Sequence, residues 1–387
     1  MATRRASFSA TVLAFTVSLL ACHDASPGPE APRCDPSPLS ASLQSALRDA
    51  QAANPGNPGW LLAARIPAAG LELEEAVQAP GLEALSPRAP FRIASVTKTF
   101  MAAAILRLVE RGQVSLDDTV AAVCPAPYPE LLRAGGYAPE RMTVAQLLTH
   151  TSGLFDYAQS DDYLATVFES PEHVWTREEQ VRFAMEHGAP VGEPGAAYVY
   201  SDTGYLLLGA LLEAKTGLGL AQAYRSLLGF ERLGLQSTWL ETQEAVPSAV
   251  MGAAPQAYDG VPLASIHASA DLFGGGGLVS TAPDLARWFQ ALFAGQVFER
   301  ASTLDTMLRV PATNESEGGA MGIFRVPRAS GGPCWLHEGF WGAAVMTCPE
   351  LNLTVAVTSL DASHQGDGGT ALLRAAVQAA ASCQTAH

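Results

Sequence analysis

The chain reads as an α+β protein: an antiparallel sheet built from its N- and C-terminal segments, flanked by helices, with a mostly helical region inserted between them. Three observations lead there. Strand-like runs cluster early, at Trp60–Ile66, Leu71–Val77 and Phe91–Ala94. From residue 95 to 245 the pattern is helix and loop. Strand-like runs return at Met321–Val326, Cys334–His337, Ala343–Cys348 and Leu353–Thr358, before an Ala-rich closing helix over 368–382.

Taken in order, the chain opens with Arg4 and Arg5, then an apolar stretch from Val12 to Ala21. Ten helical residues span about 15 Å, half of a bilayer core of about 30 Å, so residues 1–21 read as a signal peptide. Its end, Leu19-Leu20-Ala21-Cys22, resembles a bacterial lipobox. That implies cleavage before Cys22, a lipid on its thiol, and a membrane-anchored protein facing the periplasm or the cell exterior. Residues 22–38 carry Pro27, Pro29, Pro32, Pro36 and Pro38 and read as a tether, too Pro-rich for a helix. Leu39 to Ala53 has helical spacing. The first two strands join at Pro67–Gly70, and a third ends at Ala94. A helix then runs from Ser95 to Arg111, closed by Gly112.

Within the helical region, Thr143 is placed to cap a helix running to His150, and Thr176–His187 is another. Thr203–Lys215 is apolar enough to be buried and ends at Gly217. Glycines 274–277 open a strand, and Pro283 sits in the first turn of a helix over Ala282–Phe293. Residues 39–94 and 246–387 thus supply the sheet region and 95–245 the helical region of one domain.

The functional signal starts at Ser95-Val96-Thr97-Lys98. A helix opening there puts the serine and the lysine one turn apart on one face, able to share a proton. Only two of the 23 basic residues are lysines, Lys98 and Lys215. Arg cannot surrender its proton in a protein and a desolvated Lys can, so the pair is a candidate nucleophile and base. A Ser–Lys spacing alone is weak and needs partners elsewhere.

Bulk properties narrow the field. Of 387 residues, 48% are hydrophobic, enough for a large core. A net charge of −15 and the lack of a basic run exclude nucleic acid and anionic headgroups as partners. No paired His or Cys spacing points to zinc, and glycines 274–277 lack the Gly-Lys-Ser/Thr of a phosphate loop, so no metal or cofactor is expected. There is no G-x-S-x-G elbow. Export permits disulfides among Cys34, Cys124, Cys334, Cys348 and Cys383. Cys334 and Cys348 flank a hairpin, and Cys34 and Cys383 bracket the folded part. The expected pairs are Cys334–Cys348 and Cys34–Cys383, with Cys334–Cys383 the alternative bond and Cys124 reduced.

Further blocks turn the weak motif into a pattern. Together with Ser95-Val96-Thr97-Lys98, the chain carries Tyr200-Ser201-Asp202 and His337-Glu338-Gly339. It also has Gln146–Leu154, Phe155-Asp156-Tyr157, Gly204–Gly209 and Gly276–Thr281. In order and spacing these resemble the penicillin-recognising serine hydrolases: class C β-lactamases, D-alanyl-D-alanine carboxypeptidases, esterases and D-aminopeptidases. The first block and Phe155-Asp156-Tyr157 most resemble the carboxypeptidase branch. The resemblance covers roughly residues 40–380 and implies the β-lactamase/transpeptidase fold. It implies that Ser95 is acylated with Lys98 or Tyr200 as base. The N–H groups of Ser95 and Phe340 then form the oxyanion hole, and His337 assists proton return or anchors the substrate. The substrate would be a small molecule or peptide: a D-amino-acid peptide, an ester or a β-lactam. The string Lys215-Thr216-Gly217 is a decoy that ends a helix, and His150 is expected to hold its turn.

Two positions depart from the family pattern. Asp202 stands where the family has Asn, so a donor to a substrate carbonyl is lost and an anion favouring the ammonium of Lys98 is gained. Tyr200 is then the expected base, with an alkaline optimum. Glu338 stands where a hydroxyl residue often binds a substrate carboxylate, which disfavours penicillins and peptide C-termini. A catalytically silent binding protein on the same fold is the rival reading.

Overall fold

The computed structural model describes residues 35–248, 250 and 252–385. The signal segment, Cys22 and Cys34 lie outside these residues. Helix α1 (Pro36–Ala53) leads into β1 (Gly59–Ile66), β2 (Leu71–Gln78) and β3 (Phe91–Arg92). Helices α2 (Thr97–Glu110), α3 (Val120–Val123), α4 (Tyr128–Ala134), α5 (Val144–Leu148), α6 (Asp161–Glu169), α7 (Arg177–His187), α8 (Asp202–Thr216) and α9 (Leu220–Leu228) follow. Then come β4 (Trp239–Leu240), the hairpin β5 (Ala257–Tyr258) and β6 (Val261–Pro262), β7 (Leu278–Ser280), α10 (Ala282–Phe293) and α11 (Ala301–Met307). Strands β8 (Phe324–Val326), β9 (Cys334–Glu338), β10 (Ala343–Cys348) and β11 (Leu353–Ser359) precede α12 (Gln365–Thr385).

The main sheet runs β2-β1-β11-β10-β9-β8 and is antiparallel throughout. It is built from both ends of the chain, as expected. Period-two alternation sorts its side chains into two cores. Trp60, Leu62 and Ala64 of β1, with Ala344, Met346, Val355 and Val357, pack with Leu43 and Leu47 of α1 and Leu372 and Leu373 of α12. The intervening Leu61, Ala63, Val345 and Ala356 join the larger core with α2, α8 and α10. Helix α2 is buried on all sides from Thr97 to Leu108, which suits its apolar run and makes it the central element. Thr143 and Thr176 close capping boxes with Gln146 and Glu179, fixing where α5 and α7 begin.

Three expectations need correction. Pro36 and Pro38 are not tether: they fall in the first turn of α1, where a missing N–H costs nothing, with Asp35 as cap. The third strand stops at Arg92 and pairs with β7, in a separate three-stranded sheet ordered β3-β7-β4. It stops because Ala94 adopts φ +43°, a left-handed conformation that ends extended pairing. The same turn delays the helix: Ala94–Val96 is a 3-10 turn, and α2 starts at Thr97 rather than Ser95. Cys334 and Cys348 lie opposite each other on β9 and β10 and form a disulfide, while Cys124 is free and buried. The Cys34–Cys383 pairing falls outside the described side chains.

Candidate active site

Ser95 stands at the junction of the sheet region and the helical region, immediately after a strained residue. A non-glycine residue at positive φ, as at Ala94, is uncommon, and such strain collects at functional sites. One helical turn on, the fully buried Lys98 points its Nζ back at Ser95 Oγ, 2.9 Å away. The same nitrogen donates to the Gly275 carbonyl oxygen at 2.8 Å and forms an ion pair with Asp202. It faces the rings of Tyr200 and Tyr205, 5.1 and 5.4 Å from their centroids. Gly275 is required at this point, because a Cβ there would overlap the Asp202 carboxylate and crowd Nζ. Asp202 opens α8, so one helix N-terminus carries the anion and another carries the serine and its lysine.

Tyr200 completes the group. Burial and the Asp202 charge push its phenol well above the ordinary range, while a hydrogen bond with Ser95 pulls the other way. Ser95 Oγ therefore accepts from Lys98 with the Tyr200 phenol close by. The ring of Tyr200 lies flat on His150, centroids 4.2 Å apart. His150 Nδ1 accepts the N–H of Ser201 at 3.1 Å, which leaves the ring hydrogen on Nε2, buried and without a partner. Burial holds this imidazole neutral. His150 does hold its turn, as expected, and it also carries Tyr200.

His337 lies on β9, near enough to Lys98 to feel its charge. Its Nδ1 is 2.7 Å from the Glu338 carbonyl oxygen, so Nδ1 is the donor and the buried, unpartnered Nε2 has a free lone pair. Burial, with Lys98 nearby, pushes its pKa down to about 3. Glu338 is exposed, and no hydrogen bond or ion pair reaches its carboxylate; partial desolvation raises it. Gly339 packs against Ile93 and Ala94, where a Cβ would overlap the Ile93 carbonyl. Phe340 follows next in the chain. Among the described residues, no backbone carbonyl accepts the N–H of Ser95 or of Phe340. The Lys215-Thr216-Gly217 string ends α8, with Gly217 left-handed at φ +67°, and plays no part here.

Two further carboxyls surround the ion pair. Asp156 accepts the backbone N–H of Asp202 at 3.1 Å, and Asp271 accepts the indole N–H of Trp341 at 3.1 Å. Burial first, then the Asp202 charge, raises each to about 7. Asp156 sits in a block already singled out, but nothing in the sequence marks Asp271, a lone acid at the end of a 3-10 turn. Tyr205 belongs to the Gly204–Gly209 block, for which the sequence suggested no role beside Lys98. Among the described residues no cluster of His, Cys, Asp and Glu has the geometry to hold a metal.

The arrangement agrees with what the chain is similar to. The model of the beta-lactamase family matches residues 75–379. Esterase EstB of Burkholderia gladioli is 31% identical over 286 residues, 65% of this chain and 71% of that protein. The D-alanyl-D-alanine-carboxypeptidase/endopeptidase AmpH of Escherichia coli is 26% identical over 56% of this chain. The match spans only 52% of AmpH, and 37% of penicillin-binding protein 4 of Amycolatopsis lactamdurans. Among solved structures, a D-stereospecific amidohydrolase from Streptomyces sp. superposes with a TM-score of 0.74 at 25% identity, covering 87% of this chain and 98% of that one. D-amino acid amidase from Ochrobactrum anthropi SV3, complexed with D-phenylalanine, gives 0.70 at 25% identity over 88% and 99%. With a family match over most of its length and Ser95, Lys98 and Tyr200 gathered at one point, the chain belongs to the beta-lactamase family of serine hydrolases.

Proposed function

We propose that the protein hydrolyses an amide or ester of a small molecule or peptide through an acyl-Ser95 intermediate. One observation carries this reading: Ser95 Oγ accepts from Lys98 Nζ at 2.9 Å, and the same nitrogen lies 5.1 Å from the centre of the Tyr200 ring. The three acceptors around Nζ, namely Ser95 Oγ, Asp202 and the Gly275 carbonyl, match the three hydrogens of an ammonium. A lysine so engaged has no lone pair to offer, which leaves Tyr200 as the base. Lys98 then supplies the positive charge that stabilises the phenolate as it forms.

Tyr200 works as the phenolate, formed by losing its own proton to solvent, and takes the serine proton as the Oγ–carbon bond forms. The developing oxyanion lies between the N–H groups of Ser95 and Phe340. As the bond to the leaving nitrogen or oxygen breaks, Tyr200 returns the proton to it. Water then repeats the sequence and releases the acid. His337, neutral across the working range, offers Nε2 as an acceptor that anchors the substrate. The unpaired carboxylate of Glu338 disfavours anionic substrates, which sets penicillins and free peptide C-termini below esters, amides and amine-bearing D-peptides.

The saturated Lys98 also favours a second reading, a binding protein that does not turn over. Intact-mass analysis after incubation with a fluorescent penicillin and an activated ester separates the two. The enzyme gives an adduct on Ser95 that is absent in Ser95→Ala, and no adduct from any acyl donor sinks it. We further propose export and a lipid on Cys22; metabolic lipid labelling that survives Cys22→Ala would refute the anchor.

A further inference from the structure

The Phe340 ring is 42% exposed, and it is the one aromatic among the large apolar side chains that the described residues leave in water. One face of the ring lies on Tyr258, centroids 5.1 Å and planes 21° apart, and its edge meets Trp341 at 4.7 Å. Tyr258 in turn stacks on Phe168 of α6 at 5.3 Å. The row Phe168–Tyr258–Phe340 is therefore assembled from the helical region, the β5–β6 hairpin and the turn after β9.

This shelf is held in place. The Ala257 N–H donates to the Leu360 carbonyl at 2.7 Å, which fixes the hairpin bearing Tyr258. The Asp271 carboxylate holds the Trp341 indole. Val261, opposite Tyr258 in the hairpin, is also exposed and extends the apolar surface.

Its position relates it to the chemistry. A carbonyl oxygen held by the Ser95 and Phe340 N–H groups brings its acyl carbon within one residue's length of the Phe340 ring. The leaving group must meet a proton from Tyr200, so it lies on the Lys98 and Tyr200 side. The group attached to the acyl carbon is left to face the shelf. We propose that Phe340 and Tyr258 form an acyl-side subsite for a flat apolar group, so that the preferred substrates are aryl-acyl esters or amides, or acyl groups bearing an aromatic side chain. The proposal rests on the acyl-Ser95 reading and names the substrate class for that site.

The test compares p-nitrophenyl acetate with p-nitrophenyl phenylacetate, which share a leaving group and differ by one phenyl ring on the acyl part. The readout is the ratio of their kcat/KM values in the full chain. Wild type prefers the phenylacetate. That preference falls about tenfold in Phe340→Ala and about threefold in Tyr258→Leu, the range of one aromatic contact. A ratio unchanged in both variants, with wild-type thermal unfolding, overturns the subsite. If Phe340→Ala does not fold, Tyr258→Leu decides alone, and an unchanged ratio there is equally fatal. Ser95→Ala serves as the separate control: turnover of either ester in that variant refutes the acyl-Ser95 reading rather than the subsite.

Discussion

Replacing Asp202 by Asn is the most informative single change. Asp202 pairs with a lysine that has no exposed surface, and its own side chain is only 10% exposed. Its charge raises Tyr200, Asp156 and Asp271 together. Unit charges 4 Å apart at an effective dielectric constant of about 20 interact by about 4 kcal/mol, and by half of that at twice the separation. Groups in the next layer around Asp202 therefore shift by about 1–2 pH units when its charge is removed. The sign is fixed by the base: a raised phenol loses its proton only at high pH, so relieving it moves the rising limb of the rate profile toward acid. With p-nitrophenyl acetate, kcat/KM of Asp202→Asn at pH 7 rises about tenfold and the limb shifts acidward by about one unit or more. Stability moves the other way. Asn keeps an acceptor for Lys98 but no charge, a loss of about 1–3 kcal/mol, whereas Asp202→Ala strands a buried ammonium and costs about 3–5 kcal/mol. An unmoved limb in a folded Asp202→Asn protein refutes the idea that this carboxylate tunes the base.

Three further outcomes are expected. In His150→Phe the ring stack under Tyr200 survives but the Ser201 N–H loses its acceptor, so urea denaturation should show a loss of about 1–3 kcal/mol, and a change under about 0.5 would argue against the bond. Asp271 is protonated in the folded protein up to about 7, so its contribution is full below the ordinary value of 3.8 and is lost as pH rises through 7. Asp271→Asn lacks that loss and should gain on wild type between pH 4 and 7, by at most about 1.4 kcal/mol per pH unit; a pH-independent difference contradicts the assignment. Removing the disulfide in Cys334→Ala/Cys348→Ala, which closes a loop of sequence separation 14, should cost about 3 kcal/mol by chemical denaturation, and no change would mean the bond does not form.

Much of this architecture was legible in residue patterns, for physical reasons that also explain the gaps. Strands β1, β10 and β11 are buried on both faces and read as continuous apolar runs. Helix boundaries followed from caps, as at Thr143 and Gly217. The misplaced boundaries at Ala94 and Thr97 come from a left-handed alanine, which no propensity announces. The Ser95, Lys98, Tyr200 and His337 positions could be named because their blocks are local in sequence. Contacts made by folding alone could not. These include the Gly275 carbonyl on Lys98, the stacking of His150 under Tyr200, and Asp271 reaching toward the ion pair from a different loop. The aromatic row joins Phe168, Tyr258 and Phe340, each unremarkable in its own stretch.

The pairing of β1 with β11 also has a kinetic side. Trp60 sits against Ser359, so the middle of the sheet closes a loop of about 300 residues. An unstructured chain of that length gives up about 5 kcal/mol of closure entropy before any contact across the pair is repaid. The β1–β2 hairpin can form early but has no partner on its other edge until the last strand is made. Ser95 depends on that step, because the Gly339 turn that abuts Ile93 and Ala94 belongs to the late strands. The nascent chain should therefore remain without acylating ability until nearly all of it has been synthesised, and any C-terminal truncation that removes β11 should abolish the site along with the fold.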